Sequence, residues 1–80
     1  MLDARTQLDR QYHEMRWRIL SLAADVDRLQ RLPGGAELLA GDVRITSLKR
    51  CVHELLSAEP GRAERVQAIL SDKTPLPARE

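Results

Sequence analysis

Apolar residues recur along the first third of the chain at Leu8, Tyr12, Met15, Ile19, Leu22, Val26 and Leu29. Their spacings are 4, 3, 4, 3, 4 and 3. That alternation keeps one stripe on one side of a helix, so the pattern predicts a long amphipathic helix over about residues 3–32. The segment contains neither glycine nor proline before Pro33. Asp3 or Thr6 can cap its start by accepting a bond from an otherwise unpaired backbone N–H. Thr6 and Asp9 have the spacing of a capping box, with Asp in place of the usual Glu. Pro33-Gly34-Gly35 ends the helix, because proline drives the residue before it out of the helical region.

The stripe fits a heptad with Tyr12, Ile19 and Val26 at a, and Leu8, Met15, Leu22 and Leu29 at d. β-branched residues at a with Leu at d favour two-stranded parallel packing. A second reading is that the stripe faces other helices of the same domain. Pattern alone leaves both open, and leaves the direction of any pairing open too. Trp17, Leu20 and Ala24 form a second apolar strip on another side, with Ala23 between the two. The middle of the helix is therefore apolar over much of its circumference, as in helices held between two partners.

Beyond the Pro-Gly-Gly break, residues 36–41 are ambiguous between a loop and a single helical turn in which Leu38 and Leu39 plug the end of a bundle. Asp42 is a good N-cap for a second helix over about 42–58, with Ile45, Leu48, Val52 and Leu55 facing inward. Val43, Ile45 and Thr46 are β-branched, but no second strand is available to pair with them. Pro60 suits the first position of a third helix over about 60–71, where its missing N–H costs nothing. Ala63, Val66, Ile69 and Leu70 would face inward. The expectation is an all-α, three-helix bundle: one domain over 1–73 and a flexible tail over 74–80.

Helix lengths sharpen this picture. At 1.5 Å per residue the first helix is about 43 Å long and the second about 24 Å. The second, running back along the first, would cover Val26, Leu22, Ile19 and at most Met15. The third helix, about 18 Å long, can either turn back or continue outward along the first; if it turns back, Leu8 and Tyr12 are left uncovered, and an uncovered heptad stripe marks an interface. A second copy of the chain is the simplest cover. Self-association through Leu8, Tyr12, Met15 and Ile19 into a helical homodimer follows as an expectation. Small domains commonly need such a staple.

Composition removes most other classes. The chain has 80 residues, 13 Lys plus Arg against 12 Asp plus Glu, and a formal net charge of +1. This is a globular balance, too short for a Rossmann fold or a TIM barrel. No apolar run approaches the 18 or so residues of a membrane span. The first residues lack a charged region followed by an apolar one, so no secretory signal is expected. The one cysteine, Cys51, has no internal disulfide partner. A lone thiol fits a reducing compartment, so a cytoplasmic location is expected.

Candidate chemistry is sparse. Asp9 and His13 share a helix face, but Cys51 and His53, two residues apart, point about 200° from each other. No metal and no cofactor is expected. Cys51 lacks the adjacent imidazole a nucleophile needs and reads as a small buried hydrophobe. No phosphate loop is present, since no Gly-Lys-Ser/Thr follows Gly34-Gly35. The expectation is a non-enzymatic protein-protein interaction module. Trp17 and Leu20 are its candidate partner-binding residues, because tryptophan is enriched in interface hot spots; the alternative is that Trp17 packs beneath the third helix.

A different class of function is also readable. The second and third helices could form a helix-turn-helix. The third would present Arg62, Arg65 and Gln67 to DNA, with Lys49 and Arg50 on phosphates. Against it, Glu59, Glu64 and Asp72 share the segment, and the pI of about 8.0 lacks a strongly basic footprint. The plainer reading is a solvated, salt-bridged surface, with Glu14–Arg18 and Asp27–Arg31 as i, i+4 pairs.

Overall fold

A stretch of 28 residues without a helix breaker forms the first element, α1 (Ala4–Arg31), in the computed structural model, which describes residues 2–71. Asp3 is its N-cap: the side chain accepts from the Thr6 backbone N–H at 2.9 Å. Thr6 is therefore the donor to the cap rather than the cap, and the Thr6–Asp9 capping box gives way to it. This N–H, with further help from the Thr6 side chain, holds the Asp3 carboxyl below its ordinary range. Arg28 and Arg31 lie in the last turn, where the helix dipole favours cations. The helix stops at Leu32, whose extended backbone (φ −87°, ψ 153°) is the conformation required before proline.

Two compact units divide after Gly35: residues 1–35, built on α1, and residues 36–80. Gly34 adopts a left-handed backbone (φ +80°). Gly35 is buried, and a Cβ placed on it would collide with the Leu29 carbonyl. The corner after α1 therefore accepts no side chain at this position.

The ambiguous residues that follow are helical. They form α2 (Gly35–Gly41), so the described residues contain four helices rather than the three expected, and no strand. α2 ends at Gly41, and the Asp42 N–H bonds to the Leu38 carbonyl at 2.9 Å. Lys49 Nζ donates to the Leu39 carbonyl at 2.8 Å, fastening the short helix to the next one.

α3 (Val43–Leu55) begins at the expected cap. Asp42 accepts from the Arg44 backbone N–H at 2.8 Å and from the Arg44 guanidinium through both carboxylate oxygens, each at 3.0 Å. The Arg44 side chain first, and its backbone N–H second, hold the Asp42 carboxyl down at about 2. A carboxylate whose folded-state pKa is depressed contributes stability that is complete above its unfolded value of about 4 and disappears as the pH falls through about 2. Amide protection at Arg44 and Thr46, followed by hydrogen exchange, will accordingly be lost across that window. Asp42→Asn, which caps without titrating, will show no such step there; an identical step in this variant would assign the loss to another group.

α3 ends at Leu55, three residues before the expected boundary at 58, and α4 spans Arg62–Leu70. Pro60 does not open α4. Gly61 is its N-cap, in a left-handed conformation (φ +85°, ψ 22°) that a side chain would resist. The chain must reverse within this turn, and Pro60 followed by a left-handed glycine starts the helix two residues later than a proline-initiated helix would.

α3 packs on α4, but through a different face from the one its apolar pattern suggests. Cys51 is buried, at 8% exposure, with Ser47 and Glu54 half-buried beside it. These three lie at i, i+4 and i+7 and share one side of the helix. Ser47 and Cys51 are small, and Val66 and Ile69 of α4 are half-buried in return. Ile45 is half-buried, whereas Leu48, Val52 and Leu55 are exposed. The expected inward stripe of α3 is thus mostly outward, as are Ala63 and Leu70 of α4. The tail expected over 74–80 lies outside the described residues.

Candidate functional site

α1 carries the heptad stripe into the structure unburied. Leu8, Tyr12, Met15, Ile19, Leu22 and Val26 are between 37% and 62% exposed, and Leu29 is half-buried. Ile19, at the centre of the stripe, is the most exposed of them. No residue of α1 is buried. A helix of 28 residues is about 42 Å long, and one stripe runs along nearly all of it. Isolated helices in water are marginal, and most helical stability in proteins comes from packing an apolar face.

The second apolar strip is also outward. Trp17 is 67% exposed. With Leu20, Ser21, Ala24, Asp25 and Arg28 it borders a shallow depression on the side of α1 away from the heptad stripe. Arg28 and Asp25 form an ion pair across one end of it. Arg18 Nη2 meets Glu14 Oε1 at 2.7 Å, as the i, i+4 spacing predicts. The Asp27–Arg31 pair does not form; three-residue spacing from Asp25 to Arg28 supplies the second ion pair instead. Tyr12 and His13 sit side by side, with ring centroids 6.0 Å apart.

The cations of the DNA-binding alternative are mostly used inside the chain. Arg62 donates through Nε to the Ser57 carbonyl at 2.8 Å and through Nη2 to the same oxygen. Arg65 donates through Nη1 to the Pro60 carbonyl at 2.7 Å and through Nη2 to the Glu59 carbonyl at 3.2 Å. Its Nε lies 3.3 Å from Glu54 Oε1. Lys49 is held on the Leu39 carbonyl. Arg50 and Gln67 are exposed, and Arg50 borders a shallow hollow with Lys49, His53, Glu54 and Ile69. A guanidinium turned onto the carbonyls of its own turn has fewer donors left for phosphate. The clamp by Arg62 and Arg65, and the role of Glu54 in it, were not evident from sequence. The available signal was a turn containing Ser57, Glu59 and Pro60 whose carbonyls lie outside the helices, with two arginines following within eight residues.

Cys51, far from any reactive arrangement, is the buried small side chain of the α3–α4 contact. Among the described residues no group of three or more His, Cys, Asp or Glu side chains is placed to hold a metal ion. No helix there is long and apolar enough to cross a membrane. Comparison with protein families, with curated proteins and with solved structures gives no match in any of the three.

Proposed function

We propose that the protein is a non-enzymatic interaction module that self-associates through α1 into a homodimer. The observation that supports this reading is the unburied heptad stripe itself. Leu8, Tyr12, Met15 and Ile19 lie on one face of a long helix, and Leu22, Val26 and Leu29 continue it. Contiguous apolar surface of this kind, bordered by Arg16, Arg18 and Asp25, is the usual mark of a protein-protein contact. A second copy offers the same stripe with the same 3-4 spacing, so knobs of one helix find holes in the other. On the opposite side of α1, Trp17 and Leu20 stay available to a different protein, which would give the dimer a docking surface on each outer face.

Light scattering after gel filtration, over a range of concentrations, tests the reading. The expected result is a species of about 18 kDa, twice the 9.1 kDa of one chain. A 9.1 kDa species at every concentration overturns self-association.

A further inference from the structure

We propose that the two copies of α1 pair antiparallel, in the register that sets Tyr12 against the partner's Leu29, Met15 against the partner's Val26 and Ile19 against the partner's Leu22. This rests on the self-association reading and adds its geometry. The argument lies in residues that flank the stripe rather than in the stripe.

In the heptad that places Tyr12, Ile19 and Val26 at a, the preceding a position is Arg5, inside α1. A parallel pair sets each a residue against its own copy. Arg5 would then face Arg5 in a core layer, with two like charges and no acidic residue beside them in the layer. Tyr12 would also face Tyr12, opposing the two bulkiest side chains of the stripe. Antiparallel pairing sets a against d. Tyr12 then meets a leucine, and the layers containing Arg5 and Leu8 both fall beyond the partner's Arg31, past the end of α1, so the paired core runs from Tyr12 to Leu29.

The flanking charges make the same choice. Positions g are Gln11, Arg18 and Asp25, and positions e are Asp9, Arg16, Ala23 and Gln30. In a parallel pair g faces the e position of the following heptad on the partner. The contacts would be Gln11 with Arg16, Arg18 with Ala23 and Asp25 with Gln30, none of them an ion pair. In the antiparallel register g faces g. Arg18 meets the partner's Asp25, and the two-fold axis repeats the contact. Charges at these positions set partner choice and orientation in coiled coils.

Arg18 and Asp25 are prepared for this contact. Their side chains are well exposed, and each already has an intrahelical partner, Glu14 and Arg28 respectively. A guanidinium has five N–H donors and a carboxylate about four acceptor sites, so a second partner does not displace the first. The result is a row of alternating sign across each edge: Glu14, Arg18, the partner's Asp25 and the partner's Arg28. The opposed helix dipoles add a small contribution in the same direction.

Cysteine crosslinking separates this proposal from the reading beneath it. Cys51→Ala removes the native thiol, and the mass of that variant is checked first. Tyr12→Cys and Leu29→Cys are each introduced into it, and every reduced variant is checked by light scattering. In the antiparallel register the two Tyr12→Cys sites of a dimer are about 26 Å apart along the axis. That is far outside the Cα separation of about 4.4–6.8 Å that a disulfide spans. Under mild oxidation neither single variant is expected to crosslink to itself. An equilibrated mixture of the two is expected to give a disulfide-linked dimer. Self-crosslinking of Tyr12→Cys overturns the antiparallel register in favour of the parallel one. A dimer mass with no crosslink in the mixture overturns the register as well. A monomer mass for the unmodified chain instead overturns self-association itself, before orientation is asked.

Discussion

Ile19→Asp will abolish the proposed homodimer, leaving a monomer at micromolar concentration, and lower the helicity of the chain. Ile19 is at the middle of the α1 stripe and is 62% exposed in the single chain. Association would bury both copies. Burying an isoleucine side chain contributes about 1.5–3 kcal/mol. Losing two per dimer costs at least about 3 kcal/mol, a factor of about 100 in Kd or more. Aspartate adds the cost of bringing two carboxylates toward a low-dielectric seam, so the effect exceeds that of Ile19→Ala. Freed from its partner, a 28-residue helix keeps only its intrinsic propensity, its Asp3 cap and a pair of surface ion pairs. Circular dichroism at 222 nm will therefore weaken and become independent of concentration, as the mass falls. Arg10→Gln, on the far side of the helix, provides the control and will leave both readings as they were. An Ile19→Asp chain of unchanged mass and helicity would remove the heptad stripe from the interface.

The stripe was readable because α1 satisfies every local rule together. It has a cap, an unbroken 3-4 spacing, no glycine or proline inside, and a proline immediately beyond Leu32. Where the rules act over fewer residues the reading weakens. α2 spans seven residues, about two turns, which is too few for a periodicity to emerge, and the glycines at its ends leave loop and helical turn equally readable. The packed face of α3 failed for another reason. Hydropathy ranks Leu48, Val52 and Leu55 above Ser47 and Cys51, but the buried and half-buried side of α3 carries the smaller side chains. Periodicity locates an apolar face; it does not decide which face a neighbour will use. The Glu54–Arg65 contact spans the whole α3–α4 turn, beyond the reach of the i, i+4 rule. The candidate site divides in the same way. Its apolar residues come from spacing alone, whereas its pairing direction needs Arg5, Arg18 and Asp25 considered against a second helix.

Arg65→Met will release α4 from the second unit. α4 has only nine residues, and its N-cap, Gly61, offers no side chain to the first-turn amides. A helix so short does not persist alone in water. It is held by the narrow contact around Cys51 and by the arginine clamp. Arg65 gives the clamp its bond to Pro60, its bond to Glu59 and its ion pair with Glu54. Methionine retains much of the aliphatic stem, so the loss falls on the polar contacts and not on packing. The turn carbonyls recover water, but Glu54, half-buried, loses its cation. Partial exposure of both side chains screens the pair, which reduces the expected cost to about 1–2 kcal/mol. Domains carry roughly 0.05–0.15 kcal/mol of stability per residue, so in a unit of this size that cost is a large share of the total. Hydrogen exchange at Val66, Ile69 and Leu70 will accelerate by roughly 5- to 30-fold, following the conversion of about 1.4 kcal/mol per decade. Adding Arg62→Met, which frees the Ser57 carbonyl, will melt α4 while leaving α1 unaffected. Arg65→Lys will recover little, because an ammonium lacks the fork that reaches two carbonyls and a carboxylate together. Arg50→Met, an exposed charge change on α3, controls for net charge and will leave α4 protected. Persistent protection of α4 in Arg65→Met would assign its stability to the Cys51 contact alone, and would return Arg65 to the set of cations free to meet a phosphate.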